Sequence, residues 1–217
     1  MSSKHKVIPN IIVHSHPQSV EAEQFRMLRT SIALQTKKRK VRSIVITSPT
    51  AGEGKTMTAV NLAVVFAEEG KKVLLVDGDL RNPAIHERFQ ASNTSGLSHV
   101  LTGQRSWRDV VQSSFIPGVK LLPSGPVPLN PVKLLGAQML ETLMSEATAE
   151  FDVLVFDSPP VLAVSDAQLL ADQCQYAILI IHPKETEREL ALKAKEILAL
   201  TQSHLLGAVL NKTTARK

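Results

Sequence analysis

Short apolar runs alternate with amphipathic stretches along most of the chain, and this pattern predicts strands that alternate with helices. The apolar runs cover residues 43–47, 73–76, 119–122, 152–156, 176–181 and 205–210. Helical patterns cover residues 20–36, 55–69, 131–149, 166–171 and 185–201, and two short helices are predicted within residues 83–118. Strands that lack polar alternation are buried on both faces. We therefore predict an α/β fold with a mostly parallel central sheet and helices on both faces.

The two ends of the chain differ from the region between them. Residues 1–17 are polar and include Pro9 and Pro17, so we expect an N-terminal arm outside the core. Residues 212–217 form a short tail after the last predicted strand. No break in composition divides the remaining length, which suffices for one sizeable core. A single domain spanning residues 1–217 is therefore predicted.

The composition limits the core and the compartment. Aromatic residues make up only 4% of the chain, so the core must consist of Val, Leu, Ile and Ala. The one cysteine, Cys174, excludes a disulfide framework and fits a reducing cytosol. No run approaches the roughly 20 apolar residues that cross a bilayer, and the N-terminus lacks the apolar segment of a secretory signal. A cytoplasmic location is predicted.

The net charge of +5 is concentrated in residues 37–42 and 212–217. No aromatic residues lie among these cations, and no nucleic-acid recognition module is visible, so nucleic acid is not predicted as a partner. A solvated helix end explains the first cluster most simply. Docking to an acidic partner or to an anionic membrane surface remains the alternative.

Residues 48–56, which read Ser-Pro-Thr-Ala-Gly-Glu-Gly-Lys-Thr, follow the first strand and look like a P-loop. Gly52 and Gly54 let the backbone bend so that its N–H groups face phosphate oxygens at a helix N-terminus. Lys55 would reach the β- and γ-phosphates, and Thr56 would ligate Mg²⁺. Pro49 replaces the usual first glycine. The alternative interpretation is a glycine-rich turn with an ordinary lysine.

Carboxylates follow two further strands. Asp77 and Asp79 come directly after the strand at residues 73–76, and Asp157 comes directly after the strand at residues 152–156. An aspartate after a strand is often a turn former or a helix cap. However, ligands of open parallel sheets bind at the carboxyl ends of the strands, where these three carboxylates and Lys55 would meet. We predict that the three aspartates are the metal-binding and catalytic carboxylates.

The combined motifs resemble those of the bacterial tyrosine kinases, or BY-kinases, of the capsular and exopolysaccharide type. These kinases are P-loop NTPases related to the partition and positioning ATPases. The motifs are the P-loop at residues 47–56, Val-Asp-Gly-Asp-Leu-Arg-Asn-Pro at 76–83, Phe-Asp-Ser-Pro-Pro at 156–160 and Glu23-x-x-Arg26-x-x-Arg29. Residues 122–126, 130–131 and 207–211 extend the resemblance to nearly the whole chain.

The resemblance implies an ATP- and Mg²⁺-dependent protein-tyrosine kinase and assigns roles to individual residues. The nucleotide-binding residues would be Gly52, Glu53, Gly54, Lys55, Thr56, Met57 and Asn211, the last beside the adenine. Thr56, Asp79 and Asp157 would hold the metal, and Lys55, Asp77 and Asp79 would be catalytic. Asp77 would accept the proton of the incoming hydroxyl or help to hold the metal. Phosphoryl transfer depends on positioning and charge neutralisation, for which this set suffices.

Glu23, Arg26 and Arg29 lie on one face of the first predicted helix because their spacing is three. An intrahelical Glu–Arg pair is the simpler explanation. The resemblance implies instead an oligomerisation motif that meets a neighbouring subunit in a ring. It also implies a transmembrane adaptor that activates the kinase and holds it at the inner face of the membrane, and protein-tyrosine substrates.

One feature departs from the family pattern, in which a C-terminal tyrosine cluster is autophosphorylated. The only tyrosine of this sequence is Tyr176, and it falls within a predicted strand. Autophosphorylation of a tail cluster is therefore not expected in this chain as given. Three explanations are open: a truncated chain, a kinase that acts only on other proteins, or a relative that hydrolyses nucleotide without kinase output.

Two other function classes are possible. A partition or positioning ATPase switch would carry a signature lysine at the position of Thr50, so the sequence argues against this alternative. A non-catalytic scaffold that binds nucleotide within a polysaccharide export complex would have no need of Asp77, Asp79 and Asp157 together.

Overall fold

A computed structural model describes residues 11–37, 39–136 and 138–213. The described residues form one seven-stranded sheet flanked by helices. Its strands are β1 (Ser43–Thr47), β2 (Val73–Asp77), β3 (Gln112–Ser113), β4 (Val119–Leu122), β5 (Val153–Asp157), β6 (Tyr176–Ile181) and β7 (His204–Leu210).

Ten helices lie among the described residues. The helices are α1 (Ile12–Ser15), α2 (Val20–Gln35), α3 (Lys55–Glu68), α4 (Ile85–Phe89), α5 (Leu97–Leu101), α6 (Trp107–Val110), α7 (Pro131–Leu135), α8 (Gln138–Glu150), α9 (Asp166–Gln173) and α10 (Arg188–Leu198). The Ser19 hydroxyl caps α2 by accepting from the Ala22 N–H, and α3 begins directly after the left-handed Gly54.

The strand order is β3-β4-β2-β5-β1-β6-β7, and all neighbours are parallel except β3 and β4. Strand β5 therefore lies between β2 and β1. Asp77 pairs with Asp157 in the β2–β5 register, and Ile46 pairs with Asp157 in the β1–β5 register. The carboxyl ends of these three central strands consequently meet at one edge of the sheet.

Both faces of the central strands β1, β2, β5 and β6 are buried, as predicted for a parallel sheet. Val45 and Phe156 belong to an apolar cluster that includes residues of α5 to α10. Their neighbours Ile46 and Val155 belong to a second cluster, which includes residues of α1 to α4. Adjacent residues of a strand thus point into opposite halves of the core.

Some predictions of individual elements were wrong. The arm predicted for residues 1–17 enters the core at Ile11 and Val13, which are buried and belong to the second cluster; residues 1–10 lie outside the described residues. The single helix predicted for residues 131–149 is two helices, and α7 ends at Leu135, before Gly136, a residue that disfavours helix propagation.

The remaining differences concern short elements and helix ends. The region of residues 83–118 contains three short helices rather than two, and β3 pairs there antiparallel with β4. Helix α10 is three residues shorter at each end than predicted. Elements of two to five residues carry too few positions to show a period, so the sequence pattern could not reveal them.

Candidate nucleotide-binding and catalytic site

The loop between β1 and α3 has the backbone geometry of a phosphate cradle. Gly52 and Gly54 have φ of +82° and +95°, in the left-handed region that favours glycine. A Cβ on Gly52 would meet open space, whereas one on Gly54 would overlap the Asn211 carboxamide. Lys55 is buried at the first position of α3, so the loop leads directly into a helix N-terminus that is suited to anions.

Glu53 lies near the end of this loop, between Gly52 and Gly54, and its side chain turns into the protein and is only 1% exposed. Its Oε1 accepts hydrogen bonds from the N–H and the hydroxyl of Thr50, both at 2.7 Å. Its Oε2 accepts from the His182 N–H at 3.1 Å. The resemblance assigned Glu53 to nucleotide binding, and this inward orientation leaves only its backbone available for that role.

Asp157 ends the central strand β5 and is almost completely buried. Burial is the main cause that raises the pKa of Asp157 to about 7, and the nearby Thr56 hydroxyl and Lys55 ammonium oppose that rise. Its Oδ1 has no hydrogen-bond partner among the described residues. A buried oxygen in this state is suited to a cation or to a bound water.

Asp77 ends β2 beside Asp157. Its Oδ2 accepts hydrogen bonds from the N–H groups of Ala84 and Ile85, both at 3.0 Å, so this carboxylate caps the short helix α4. Its Oδ1 is buried and has no partner in the described part of the chain. Burial, and then the charge of Asp157, raise the pKa of Asp77 well above its ordinary value, against the two capping N–H groups.

Asp79 lies two residues after Asp77, in a turn that its own carboxylate stabilises. Its Oδ1 accepts from the N–H groups of Asn82 at 2.9 Å and Arg81 at 3.3 Å. Burial raises the pKa of Asp79, and the Lys55 charge is among the influences that oppose this rise. The Arg81 guanidinium binds the fully buried Asp166 carboxylate through two hydrogen bonds of 2.9 and 3.1 Å, which join this turn to the start of α9.

These residues fit a Mg²⁺–nucleotide. The loop offers backbone N–H groups and Lys55, and among the described residues Asp77 and Asp157 each provide one buried carboxylate oxygen without a partner. Within residues 11–37, 39–136 and 138–213, no three His, Cys, Asp or Glu side chains form a metal cage. Mg²⁺ in such sites usually has one or two carboxylates and completes its shell with water and phosphate, so the chemistry is consistent with the donor set.

A groove of about 460 Å³ lies on the α2 side of the loop. Met57 and Asn211 line it, together with Phe25 and Leu28 of α2. The Asn211 Nδ2 donates to the Glu53 carbonyl oxygen at 2.8 Å, which places this carboxamide against the P-loop. Asn211, which was assigned to the adenine, and Met57, which was assigned to nucleotide binding, therefore both lie beside the phosphate loop.

The Glu23, Arg26 and Arg29 side chains lie on α2, where the intrahelical pair between Arg26 and Glu23 is present at 3.4 Å. The stronger contacts of both arginines are with the C-terminal end of α3. Arg26 binds the Glu68 carboxylate through bonds of 3.0 and 3.1 Å, and Arg29 forms an ion pair with Glu69.

A different face of α2 is exposed. Val20, Met27 and Leu34 are 69%, 62% and 58% exposed. Their spacing of seven residues places them on one side of the helix. This apolar stripe, and not the two arginines, is the outward surface of α2.

The sequence predicted the P-loop and its adjoining strand-end carboxylates as one site, and the structure brings them together. It did not reveal that Asp77 caps α4, that Arg81 binds Asp166, or that the Glu53 side chain points inward. Arg81 belongs to a motif that the resemblance quoted, but nothing in the spacing joined it to Asp166. Each of these contacts depends on residues that meet only in the folded chain.

Similarities to known proteins indicate the class of NTPase to which this chain belongs. A family profile described as an AAA domain matches residues 41–199. The septum site-determining protein MinD of Pyrococcus horikoshii, solved with Mg-ADP, is 27% identical with a TM-score of 0.70, over 81% of this chain and 72% of that chain. The fold and the P-loop geometry place this chain among the P-loop NTPases related to MinD, as predicted.

Two further similarities define the family. The chain is 46% identical to the tyrosine-protein kinase YwqD of Bacillus subtilis, over 93% of this chain and 85% of the relative. It is 30% identical to the kinase domain of the Escherichia coli tyrosine kinase ETK, with a TM-score of 0.91, over 95% of this chain and 81% of that domain. The chain belongs to the bacterial tyrosine kinase family and is a protein-tyrosine kinase by class, which confirms the resemblance.

None of the described helices combines the length and the apolar character that crossing a bilayer requires.

Proposed function

We propose that this chain transfers the γ-phosphoryl group of ATP to tyrosine hydroxyls of other proteins. The observation that carries the proposal is the hydrogen bonding of the two carboxylate oxygens of Asp77. One of its carboxylate oxygens is fixed by two backbone N–H groups, while the other is buried beside Asp157 and has no partner in the described part of the chain. A fixed carboxylate with an unpartnered oxygen at the carboxyl end of a central strand is suited to accept a proton.

The P-loop supplies binding and charge. The N–H groups of residues 52–56 would bind the phosphate oxygens, and Lys55 would neutralise charge on the β- and γ-phosphates. The left-handed φ angles of Gly52 and Gly54 support this role, because they turn the backbone as a phosphate cradle requires.

Asp77 would orient the tyrosine hydroxyl and accept its proton at Oδ1. Burial and the Asp157 charge raise the pKa of Asp77, which makes the carboxylate a better base than an exposed aspartate. The cap on α4 keeps the other oxygen engaged, so the carboxylate has one available orientation.

Thr56, Asp79 and Asp157 would hold Mg²⁺. Mg²⁺ held by these residues would supply positive charge that offsets the negative charge of the phosphate groups. Asp157 has the free Oδ1 that this role requires, and the Arg81–Asp166 pair holds the turn that carries Asp79. On the base side, we propose that adenine lies beside Asn211 and Met57, in or next to the groove that these residues line.

We also propose that the chain assembles into a homo-oligomeric ring through α2. The support within the structure is the exposed stripe of Val20, Met27 and Leu34, because apolar side chains on one unpartnered helix face favour burial against another surface. Glu23 is exposed on this helix, while Arg26 and Arg29 tie the helix to α3.

The biological setting is proposed from the family resemblance. The chain would act in the cytoplasm at the inner face of the membrane, held and activated by a transmembrane adaptor, and would regulate capsule or exopolysaccharide synthesis. Loss of stimulation by every candidate adaptor tail would remove the support for this setting.

The function is tested by transfer of labelled γ-phosphate from ATP and Mg²⁺ to a tyrosine-containing peptide, with and without an adaptor tail. Transfer is expected for the wild-type chain and should be lost in Lys55→Ala and in Asp77→Asn, while Asp77→Asn should still bind nucleotide. Hydrolysis without any tyrosine transfer would contradict the proposal and favour an ATPase switch.

A further inference from the structure

The buried carboxylate of Glu53 lies within a loop whose task is to bind phosphate. A negative charge at this place opposes the binding of an anion, because electrostatic repulsion is weakly screened in a buried site. The chain therefore incurs an electrostatic cost by placing glutamate here. The three hydrogen bonds that the carboxylate accepts indicate what it contributes in return.

One oxygen closes the loop locally and the other reaches a distant strand. Oε1 accepts both donors of Thr50, three residues earlier in the same loop. Oε2 accepts the N–H of His182, the first residue after β6 and 129 positions away in the sequence. The side chain thus joins the P-loop to the end of the strand that lies next to β1.

The backbone of Glu53 makes a second link to the same region. Its carbonyl oxygen accepts from Asn211 Nδ2 at 2.8 Å, and the Asn211 N–H donates to the Ile181 carbonyl oxygen at 2.8 Å. His182, after β6, and Asn211, after β7, therefore both donate hydrogen bonds to Glu53. Gly54 completes the arrangement, since only a residue without a Cβ leaves room for the Asn211 carboxamide.

We propose that Glu53 is a positioning residue whose buried carboxylate ties the P-loop to His182, so that the loop is held in its nucleotide-binding shape before the nucleotide arrives. Pre-organisation of this kind lowers the cost of ordering the loop on binding. The inference rests on nucleotide binding by this loop, as proposed above, and it assigns Glu53 no contact with the reacting atoms.

Glu53→Gln separates the two functions of the carboxylate. The glutamine carbonyl oxygen can still accept both Thr50 donors, but the amide NH₂ is a donor and cannot accept from the His182 N–H. The variant therefore keeps the local closure of the loop and the backbone link through Asn211, and it removes the side-chain bond to His182. Glu53→Ala removes both the contacts with Thr50 and the contact with His182. Thr50→Val removes only the hydroxyl donor to Glu53, and it provides a second test if Glu53→Ala does not fold.

Glu187→Gln is the matched control. Glu187 is exposed at the start of α10, and its side chain makes no capping hydrogen bond. The same change of charge occurs there at an exposed position, without loss of a buried contact.

The experiment measures the Kd for MgADP by titration calorimetry, KM and kcat for ATP, and native-state amide exchange of residues 50–56 and 182 without nucleotide. We expect Glu53→Gln to raise the Kd about tenfold, which corresponds to the loss of one buried hydrogen bond to a charged group. KM should rise more than kcat falls, and the loop amides should exchange faster. Glu187→Gln should match the wild type in all three measurements.

A Kd for Glu53→Gln within about twofold of the wild type, or unchanged exchange of the loop amides, would overturn the inference. Binding of MgADP and amide exchange do not require phosphoryl transfer. A wild-type chain that binds MgADP but fails to phosphorylate tyrosine would therefore contradict the proposed function and leave the test of Glu53 intact.

Discussion

At the scale of single residues, the candidate site depends on which atoms are left unpaired. Asp77 and Asp157 each keep one buried oxygen without a partner among the described residues, whereas Glu53 has both oxygens engaged. All three are buried carboxylates at one edge of the sheet. Asp77 and Asp157 are therefore available to bind a metal ion or to accept a proton, whereas Glu53 holds the P-loop.

Substitution of the two loop glycines should have unequal effects. Gly52→Ala introduces only the strain of a left-handed alanine, about 1 kcal/mol, because its Cβ would face open space. Gly54→Ala adds the same strain and an overlap with the Asn211 carboxamide. Calorimetric titration with MgADP should therefore show a modest loss of affinity for Gly52→Ala and loss of detectable binding for Gly54→Ala. Equal affinities would show that Asn211 does not restrict this position.

The stability of the nucleotide-free and metal-free protein should decrease as pH rises. Because the pKa of Asp157 is raised to about 7 in the folded chain, the folded state binds more protons than the unfolded state between the ordinary aspartate pKa and about pH 7. The stabilisation that protonation gives is therefore complete at low pH and is lost as pH rises through about 7. Asp77, whose pKa is also raised, acts in the same direction.

Asp157→Asn tests this pH dependence, since the amide cannot ionise. Its Tm relative to the wild type should increase between about pH 5 and about pH 8, with a difference in unfolding free energy of a few kcal/mol. Addition of Mg²⁺ and nucleotide should stabilise the wild type at the higher pH and not the variant. A constant difference in Tm across this range would contradict the assignment of a raised pKa.

The sequence could predict Lys55, Asp77, Asp79 and Asp157 because each follows a recognisable strand. It could not predict the orientation of Glu53, because its partner His182, just after β6, is 129 residues away and contributes a backbone N–H that any residue except proline would supply. The cap of Asp77 on α4 was likewise hidden, since its donors are backbone groups of Ala84 and Ile85.

At the scale of elements, buried strands were predicted well and short helices poorly. A continuous apolar run such as residues 153–156 of β5 is nearly sufficient to identify a central strand. Helix α1 has four residues and lies where the composition is polar, and its anchor is tertiary, through the Val13 N–H that donates to Asn61 on α3. The pattern therefore predicted an arm in a segment that packing holds in place.

Helix α2 offers a test of assembly at this scale. Met27→Glu should convert a ring to monomers on a sizing column with light-scattering detection, because it places a charge in the exposed apolar stripe and leaves the pairs with Glu68 and Glu69 intact. Arg26→Ala with Arg29→Ala should also give monomers if the arginines reach the neighbouring subunit.

Glu68→Gln with Glu69→Gln is the control for that pair of arginine variants. It removes the same ion pairs within one chain but keeps both arginines, and it should cost at most about 1 kcal/mol of stability because the pairs are partly exposed. Assembly should persist in this control. Unchanged elution of Met27→Glu at the position of a large assembly would rule out the stripe as the interface.

At the scale of the whole molecule, the strand order explains why one site exists at all. The motifs lie on β1, β2 and β5, which are far apart in the sequence, and the order β2-β5-β1 places Asp157 between Asp77 and the P-loop. The sequence predicted parallel strands but not this order. The order follows from the crossover connections and the packing of both faces, which no local pattern encodes.

The same architecture predicts where phosphate will not be transferred. Tyr176 is the one tyrosine of these 217 residues, lies at the start of β6 between β1 and β7, and is 4% exposed. A hydroxyl in this position cannot reach the P-loop edge of the same chain or of another. The purified chain incubated with ATP and Mg²⁺ should therefore carry no phosphotyrosine in intact-mass and peptide-mapping measurements, while an added tyrosine peptide becomes phosphorylated. Tyr176→Phe should phosphorylate that peptide at the wild-type rate, and phosphate found on Tyr176 would show that β6 opens during the reaction.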